Sequence, residues 1–333
     1  MHFENIFILK GLKMNKNSSP ISRRQFLKTS AIGAAALVST SAAKSNAAQS
    51  ANPPLRMGSP IFEKFDGPDK WVQILKSLGY RAAYCPVGTD ADDNLVKAYA
   101  DAAKKADIVI SEVGAWCNPI DPDEKIRKEA MEKCRRHLVL ADRIGANCCV
   151  NVSGSRNPKH WAGPHQDNLT PQTFDLIVET TRTIIDDVKP TRTFFTLEAM
   201  PWSYPDSPDS YVRLLKAIDR PRFGVHLDPV NFVVSPQVYF NNGAMIRDCF
   251  AKLGPSIKSC HAKDIIINEE IYTPHLDELR PGLGKLDYAT YLKELSRFPD
   301  TPLMLEHLPN AEEYKRAADY IRSVAAQNGL SFG

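Results

Sequence analysis

The 333-residue sequence has no uninterrupted run of about 20 apolar residues, the length a helix needs to cross a bilayer; the apolar run 31–38 is cut short by Ser39, Thr40 and Ser41. Its seven cysteines are an odd number with no CxxC spacing, so neither a zinc pattern nor a disulfide frame is present, and no disulfide is expected. Glycine and proline are ordinary at 17 and 24, and 43% apolar with 24% charged residues excludes collagen-like, disordered and coiled-coil chains. No sign of charge dominates. The first 48 residues hold seven Lys/Arg against one acid, +6 of a total of +3, so the remainder carries −3. Such a body has no electrostatic footprint for nucleic acid or an anionic membrane. Residues 55–59, Leu-Arg-Met-Gly-Ser, lack the Gly-rich turn of a dinucleotide site, and no dedicated phosphate cradle appears.

What is present begins with a leader. Arg23 and Arg24, followed by Gln-Phe-Leu-Lys, precede the short apolar run and a small-residue stretch ending Ser45-Asn46-Ala47-Ala48. A basic region, a short apolar region and an Ala-x-Ala-like end form a secretory signal. The paired arginines resemble the twin-arginine signal, a receptor-read export address. The expectation is a signal peptide over residues 1–48, a single domain over 49–333, the twin-arginine machinery as a partner, the periplasm as destination and no stable membrane anchor.

Beyond the leader, apolar runs alternate with 3.6-periodic stretches. Strands are expected at 55–59, 80–85, 107–113, 147–152, 193–198, 222–228, 256–261 and 302–306, and helices at 68–78, 93–106, 122–144, 171–188, 207–218, 243–253, 287–297 and 311–327. Strict alternation means a parallel sheet with right-handed crossovers. Eight units in a chain of this length fit one α/β fold, a single (β/α)8 TIM barrel, which typically takes about 250 residues. Residues 154–168 and 268–284 read as long loops over its mouth.

Four expected strands finish on a metal-competent residue: Glu198, Asp228, His261 and Glu306, each about one βα unit from the last. Three carboxylates and an imidazole on one rim cannot all stay ionised and unpaired, and a divalent cation resolves the repulsion. Oxygen-rich ligation with one histidine favours Mn²⁺ or Mg²⁺, with Co²⁺ or Zn²⁺ also compatible.

This order of ligands resembles the xylose isomerase-like TIM barrel superfamily of sugar isomerases, ketose 3-epimerases, inosose dehydratases and apurinic endonuclease relatives. The strings Glu198-Ala199-Met200-Pro201-Trp202, His226-Leu227-Asp228-Pro229-Val230-Asn231, Cys260-His261-Ala262-Lys263-Asp264 and Arg280-Pro281-Gly282-Leu283-Gly284 resemble bacterial proteins described as sugar phosphate isomerase/epimerase. The resemblance implies that Glu198 and Glu306 bind the metal and act as the acid/base pair, with Asp228 and His261 as pure ligands. Similar ketose 3-epimerases carry a Glu, a His and an Arg at the positions here held by Tyr204, Asn231 and Ile267, so the metal machinery is kept and the substrate grip is changed.

Further candidates lie near the mouth. Trp116 follows the third strand and can stack on a sugar ring or pack at a loop base. Asn118 stands beside it. Glu112 ends the same strand, where a helix cap or an arginine partner explains it equally well. His226 shares the inward parity of Asp228, and Lys263 that of His261. His165 lies on a mouth loop, while Arg280 and His275 are expected on a lid. Trp116, Asn231, His226, Lys263 and Arg280 are taken as substrate-binding candidates. The expected activity is that of a divalent-metal-dependent isomerase or epimerase that removes a proton next to the carbonyl of a ketosugar. The alternative is a 3-keto-glycoside lyase, in which the same proton removal expels the aglycone. An apurinic endonuclease is disfavoured by the acidic body, and a two-lobed binding protein by the single barrel. A small carbohydrate is the expected substrate, and the oligomeric state, homo-oligomer included, is left open.

Overall fold

A computed structural model describes residues 53–333, so the leader expected over 1–48 lies outside the described residues. Eight parallel strands form one sheet: β1 (Met57–Gly58), β2 (Ala82–Tyr84), β3 (Val109–Gly114), β4 (Cys148–Val152), β5 (Phe194–Glu198), β6 (Phe223–Leu227), β7 (Ile257–Ala262) and, after the hairpin β8 (Asp264–Ile267) and β9 (Leu276–Leu279), β10 (Leu303–Leu305). Their spatial order is β1-β10-β7-β6-β5-β4-β3-β2, which leaves only β1 and β2 to meet. The Arg81 amide donates to the Met57 carbonyl at 3.1 Å across that seam, and the barrel is nearly closed. This is a single (β/α)8 barrel, as the alternation required. Strands β4 and β6 are buried along their whole length, because barrel contents cover one face and helices the other.

The helices are α1 (Pro68–Ser77), α2 (Asp93–Ala106), α3 (Glu124–Ile144), α4 (Pro171–Val188), α5 (Pro208–Ile218), α6 (Pro236–Tyr239), α7 (Asn242–Leu253), α8 (Tyr288–Leu295) and α9 (Ala311–Gln327). Side chains cap their first turns: Asp92 accepts from the Leu95 amide, Thr170 from Thr173, and Ser207 from Ser210 in a reciprocal capping box. Helix α3 starts two residues later than expected, since Asp123 is the cap and accepts from the Ile126 amide. The chain end returns to the start, the Leu55 amide donating to the Ser331 carbonyl at 2.8 Å.

The second expected mouth loop is corrected. Within 268–284, Leu276–Leu279 is a strand that pairs antiparallel with Asp264–Ile267 just before it, with Asp264 opposite Leu279 and Ile267 opposite Leu276. Its base is organised by one carboxylate. Asp264 Oδ2 accepts from the Gly282 and Gly284 amides at 2.9 and 3.0 Å, and Oδ1 from Leu286 at 2.9 Å. A Cβ at Gly284 would collide with Asp264 Oδ1, and Gly282 has φ +95°, so both glycines are required by this turn. The Asp264 and Arg-Pro-Gly-Leu-Gly strings are therefore two halves of one structural motif.

Candidate metal and acid–base site

Parallel register delivers the four strand-end residues to one level. Glu198 closes β5 and pairs with His226 on β6, two residues before Asp228. His261 on β7 pairs with Met304 on β10, two residues before Glu306. One ligating atom from each of Glu198, Asp228, His261 and Glu306 lies within 4.8 Å of all the others. The Asp228 side chain is fully buried, while those of Glu198 and Glu306 keep 6% and 11% exposure. The two glutamates are thus the members of the set that face the opening.

His261 joins this cluster to a second, deeper one. Its Nδ1 lies 2.9 Å from Glu306 Oε1 and 3.2 Å from Glu198 Oε1, and its Nε2 lies 3.2 Å from Glu112 Oε1. Glu112 Oε2 meets His226 Nε2 at 2.9 Å and accepts from the Ser259 hydroxyl at 2.7 Å. Ser259 Oγ is in turn 2.8 Å from Ser111 Oγ. A buried carboxylate behind a ligating imidazole fixes which ring nitrogen carries the proton and how the ring points.

Lys263 enters the same space. Its Nζ is 2.6 Å from both Asp228 Oδ2 and Glu306 Oε1, 3.5 Å from Glu278 and 3.9 Å from Glu198. Asp228 Oδ2 and Glu306 Oε1 nevertheless lack a directed hydrogen bond, so ion-pair proximity does not satisfy them. Two buried, unsatisfied carboxylate oxygens beside a third carboxylate and an imidazole are the donor set a hard divalent cation takes. The residues fit such an ion.

Electrostatics carry the same signature. Burial pushes the Asp228 carboxyl up to about 6, and Glu198 and Glu306 add to the effect against the opposing Lys263. Burial also opposes charge on His261, but Glu306, Glu198 and Glu112 outweigh it and hold the imidazole well above its usual range. Burial works against ionised Glu306 and Glu112, yet the facing imidazoles hold both carboxyls well below theirs. Lys263 stays charged because Asp228, Glu306 and Glu198 overcome its burial.

The other candidates divide. Asn231 Nδ2 donates to the Ala199 carbonyl at 2.9 Å and to Glu198 Oε1 at 3.2 Å, so it steadies Glu198. His226 lies one level deeper than Asp228, against Glu112, with its Nδ1 buried and unpartnered. Arg280 Nε pairs with Glu313 Oε2 at 2.8 Å. Trp116 sits on the mouth loop after β3 with φ +34° and 37% exposure. Asn118 is a loop brace, donating to Asp121 at 2.9 Å and to the Ser155 carbonyl at 2.7 Å. His165 and His275 meet Asp167 and Asp277 on the surface. Tyr204 donates from its hydroxyl to the Leu169 carbonyl at 3.0 Å, and its ring packs edge-on against Phe174.

Two residues went unread from the sequence, and the partners of a third were not found. Glu112 was left to a cap or an arginine, although a charge inside the apolar run 107–113 signals an inward group. Glu278 and His307, joined at 2.9 Å beside Glu306, gave no signal because the hairpin that carries Glu278 was read as loop.

Comparison with known proteins agrees with this geometry. The model of the xylose isomerase-like TIM barrel family matches residues 72–324, and that of the twin-arginine translocation signal sequence matches 20–39. The signal implies export, and no helix among the described residues is long and apolar enough to cross a membrane. None of the curated proteins compared with the chain matches it. Among solved structures, a xylose isomerase-like TIM barrel protein from Mycobacterium smegmatis in complex with magnesium is 17% identical, with a TM-score of 0.58 over 84% of this chain and 98% of that one. D-psicose 3-epimerase from Clostridium cellulolyticum is 14% identical, with a TM-score of 0.55 over 81% and 99%. The 3-keto-D-glucoside 4-epimerase from E. coli is 13% identical, with a TM-score of 0.55 over 81% and 99%. At these identities the likeness carries the fold.

Proposed function

Because the chain belongs to the xylose isomerase-like TIM barrel family, we propose that it is a divalent-metal-dependent isomerase or epimerase of a ketosugar, exported to the periplasm as a single domain after a signal over residues 1–48. The observation that carries the reading is the set of buried, unsatisfied oxygens of Asp228 and Glu306 beside Glu198 and His261. These four residues would hold a divalent cation, Mn²⁺ by the chemistry of the donor set, which would supply Lewis acidity to a substrate carbonyl.

The chain's own residues do the proton work. A proton next to a carbonyl is a weak acid, and a positioned carboxylate contributes on the order of 10²–10⁴ in rate to its removal. Glu198 and Glu306 approach the cluster from β5 and β10 and are its most accessible members, so one takes the proton and the other returns it. Asn231 holds Glu198 in place through its amide, and Glu112 holds His261 through Nε2. In this reading Lys263, paired with Asp228 and Glu306, meets a substrate oxygen, and Trp116 stacks on the sugar.

A second outcome of the same proton removal, loss of an aglycone from a 3-keto-glycoside, is favoured by one observation. Trp116, Trp161 and Trp202 are all exposed on loops that follow strands, the face where barrels bind substrate. The 3-keto-glucoside epimerase among the structural neighbours handles an oxidised glycoside of that class.

The test is mass spectrometry of the mature protein with Mn²⁺ in D₂O, over free ketohexoses and 3-keto-glucosides, with Glu306→Gln as control. Deuterium gained by an intact sugar and lost in the variant supports the isomerase or epimerase. Release of aglycone moves the assignment to the lyase, and silence across the panel overturns the substrate class.

A further inference from the structure

The cysteines of the described residues are all unbonded, but they are not alike. Cys117, on the mouth loop after Trp116, and Cys134, on α3, bring their Sγ atoms to 3.5 Å. Asn151 on β4 is fully buried and aims its Nδ2 at both sulfurs, 3.4 Å from Cys134 and 3.7 Å from Cys117. The same Asn151 accepts from the Cys117 amide through Oδ1 at 2.9 Å, so one side chain fixes the backbone and the thiol together.

We propose that Cys117 and Cys134 are a redox pair that closes to a disulfide once the exported protein meets an oxidising disulfide. The exchange is balanced within the two thiols. The Cys117 thiolate attacks one sulfur of an external disulfide and expels one thiolate, forming a mixed disulfide. Cys134 then loses its proton and attacks Cys117 Sγ, expelling the second thiolate. Two protons and two electrons leave the pair and reduce one external disulfide to two thiols.

The geometry assigns the order of events. Cys117 is half-buried on a loop, whereas Cys134 is fully buried, so Cys117 is the thiol an external disulfide meets first. The Cys134 thiol beside Cys117 lowers the acidity threshold of Cys117 against its burial, with help from Lys133, which makes it the attacking group. Burial instead pushes Cys85, Cys148, Cys149, Cys249 and Cys260 up, so they stay inert thiols. Closure brings the two Sγ atoms from 3.5 Å to a bond of about 2.05 Å. A twin-arginine substrate folds before export, so the pair is formed as thiols and oxidised afterwards. The bond then ties the Trp116 loop to α3, without any dependence on the assigned reaction.

The mature protein is incubated with oxidised glutathione, acid-quenched, alkylated after denaturation and mapped by mass spectrometry. Lys125 and Lys133 lie between the two cysteines, so trypsin leaves them on separate peptides joined only by the bond. The expected result is a Cys117–Cys134 linked species, two mass units lighter, with the other five cysteines alkylated. Cys134→Ser traps glutathione on Cys117, and Cys117→Ser leaves Cys134 reduced. Seven alkylated thiols, or glutathione stably retained on Cys117 of the unsubstituted protein, overturns the proposal. The readout is mass, so it stands or falls apart from the sugar chemistry.

Discussion

Two aspartates at opposite ends of the barrel show how one residue type is put to two uses. Asp142, near the end of α3, faces the segment that leads into β5. It accepts from the Thr191, Arg192 and Thr193 amides and the Thr191 hydroxyl. Burial works against its charge, but these donors prevail and hold the carboxyl below its usual range. Asp228, just past β6 at the other rim, is fully buried with Oδ2 undirected to any donor, and its carboxyl is pushed up to about 6. The first carboxylate is met by four directed donors; the second has one, the Val230 amide on Oδ1 at 3.0 Å, and the Lys263 ammonium 2.6 Å from Oδ2. That division follows barrel anatomy, in which one end supports stability and the other chemistry.

The largest effects are expected at the open end. Glu306→Gln and Glu198→Gln should each lower solvent-deuterium incorporation by on the order of 10²–10⁴, an effect larger than any shift in their thermal midpoint explains, since they are the least buried members of the set. A variant that melts early and loses activity in proportion would make these glutamates structural, like Asp142. Next in size is Glu112→Gln. It keeps the volume but weakens the hold on His261 Nε2, and cation affinity measured against a competing chelator should fall roughly 10–100-fold. Unchanged affinity would reduce Glu112 to a filler of the barrel interior.

How far this division was legible in the sequence depends on which periodicity carried it. The barrel and the gathering of Glu198, Asp228, His261 and Glu306 at one rim were legible, because a strand's last residue is set by where its apolar run stops. Glu112 was not, because its partners His226, Ser259 and His261 come from β6 and β7, and only register puts them opposite β3. Glu278 was hidden for a different reason. The segment 268–284 is rich in Asp, Glu and Pro, which reads as loop, and its pairing as a hairpin is fixed by the Asp264 turn rather than by alternation. Lys263 was legible as an inward residue, but its place between Asp228 and Glu306 was not, since a lysine's reach spans several levels of the barrel.

The smallest effect is the one that separates the two aspartates by sign. Asp142→Ala strands three backbone amides at a partly exposed site and should cost about 1–2 kcal/mol in urea unfolding, with cation affinity unchanged. The contribution of Asp142 comes from a folded pKa below the unfolded value of 3.8; it is present above that value and fades as the pH falls through the folded one. Asp228 runs the other way in chelator-treated protein. Its folded pKa of about 6 exceeds 3.8, so the native state binds the extra proton, and its contribution is fully present below 3.8 and lost as the pH rises through about 6. Between pH 4 and 6.5, stability of the chelated protein should therefore fall more steeply with pH than that of Asp228→Asn. If the two slopes match, Asp228 already has its charge met by Lys263 alone, and the contrast between the two ends of the barrel loses its electrostatic half.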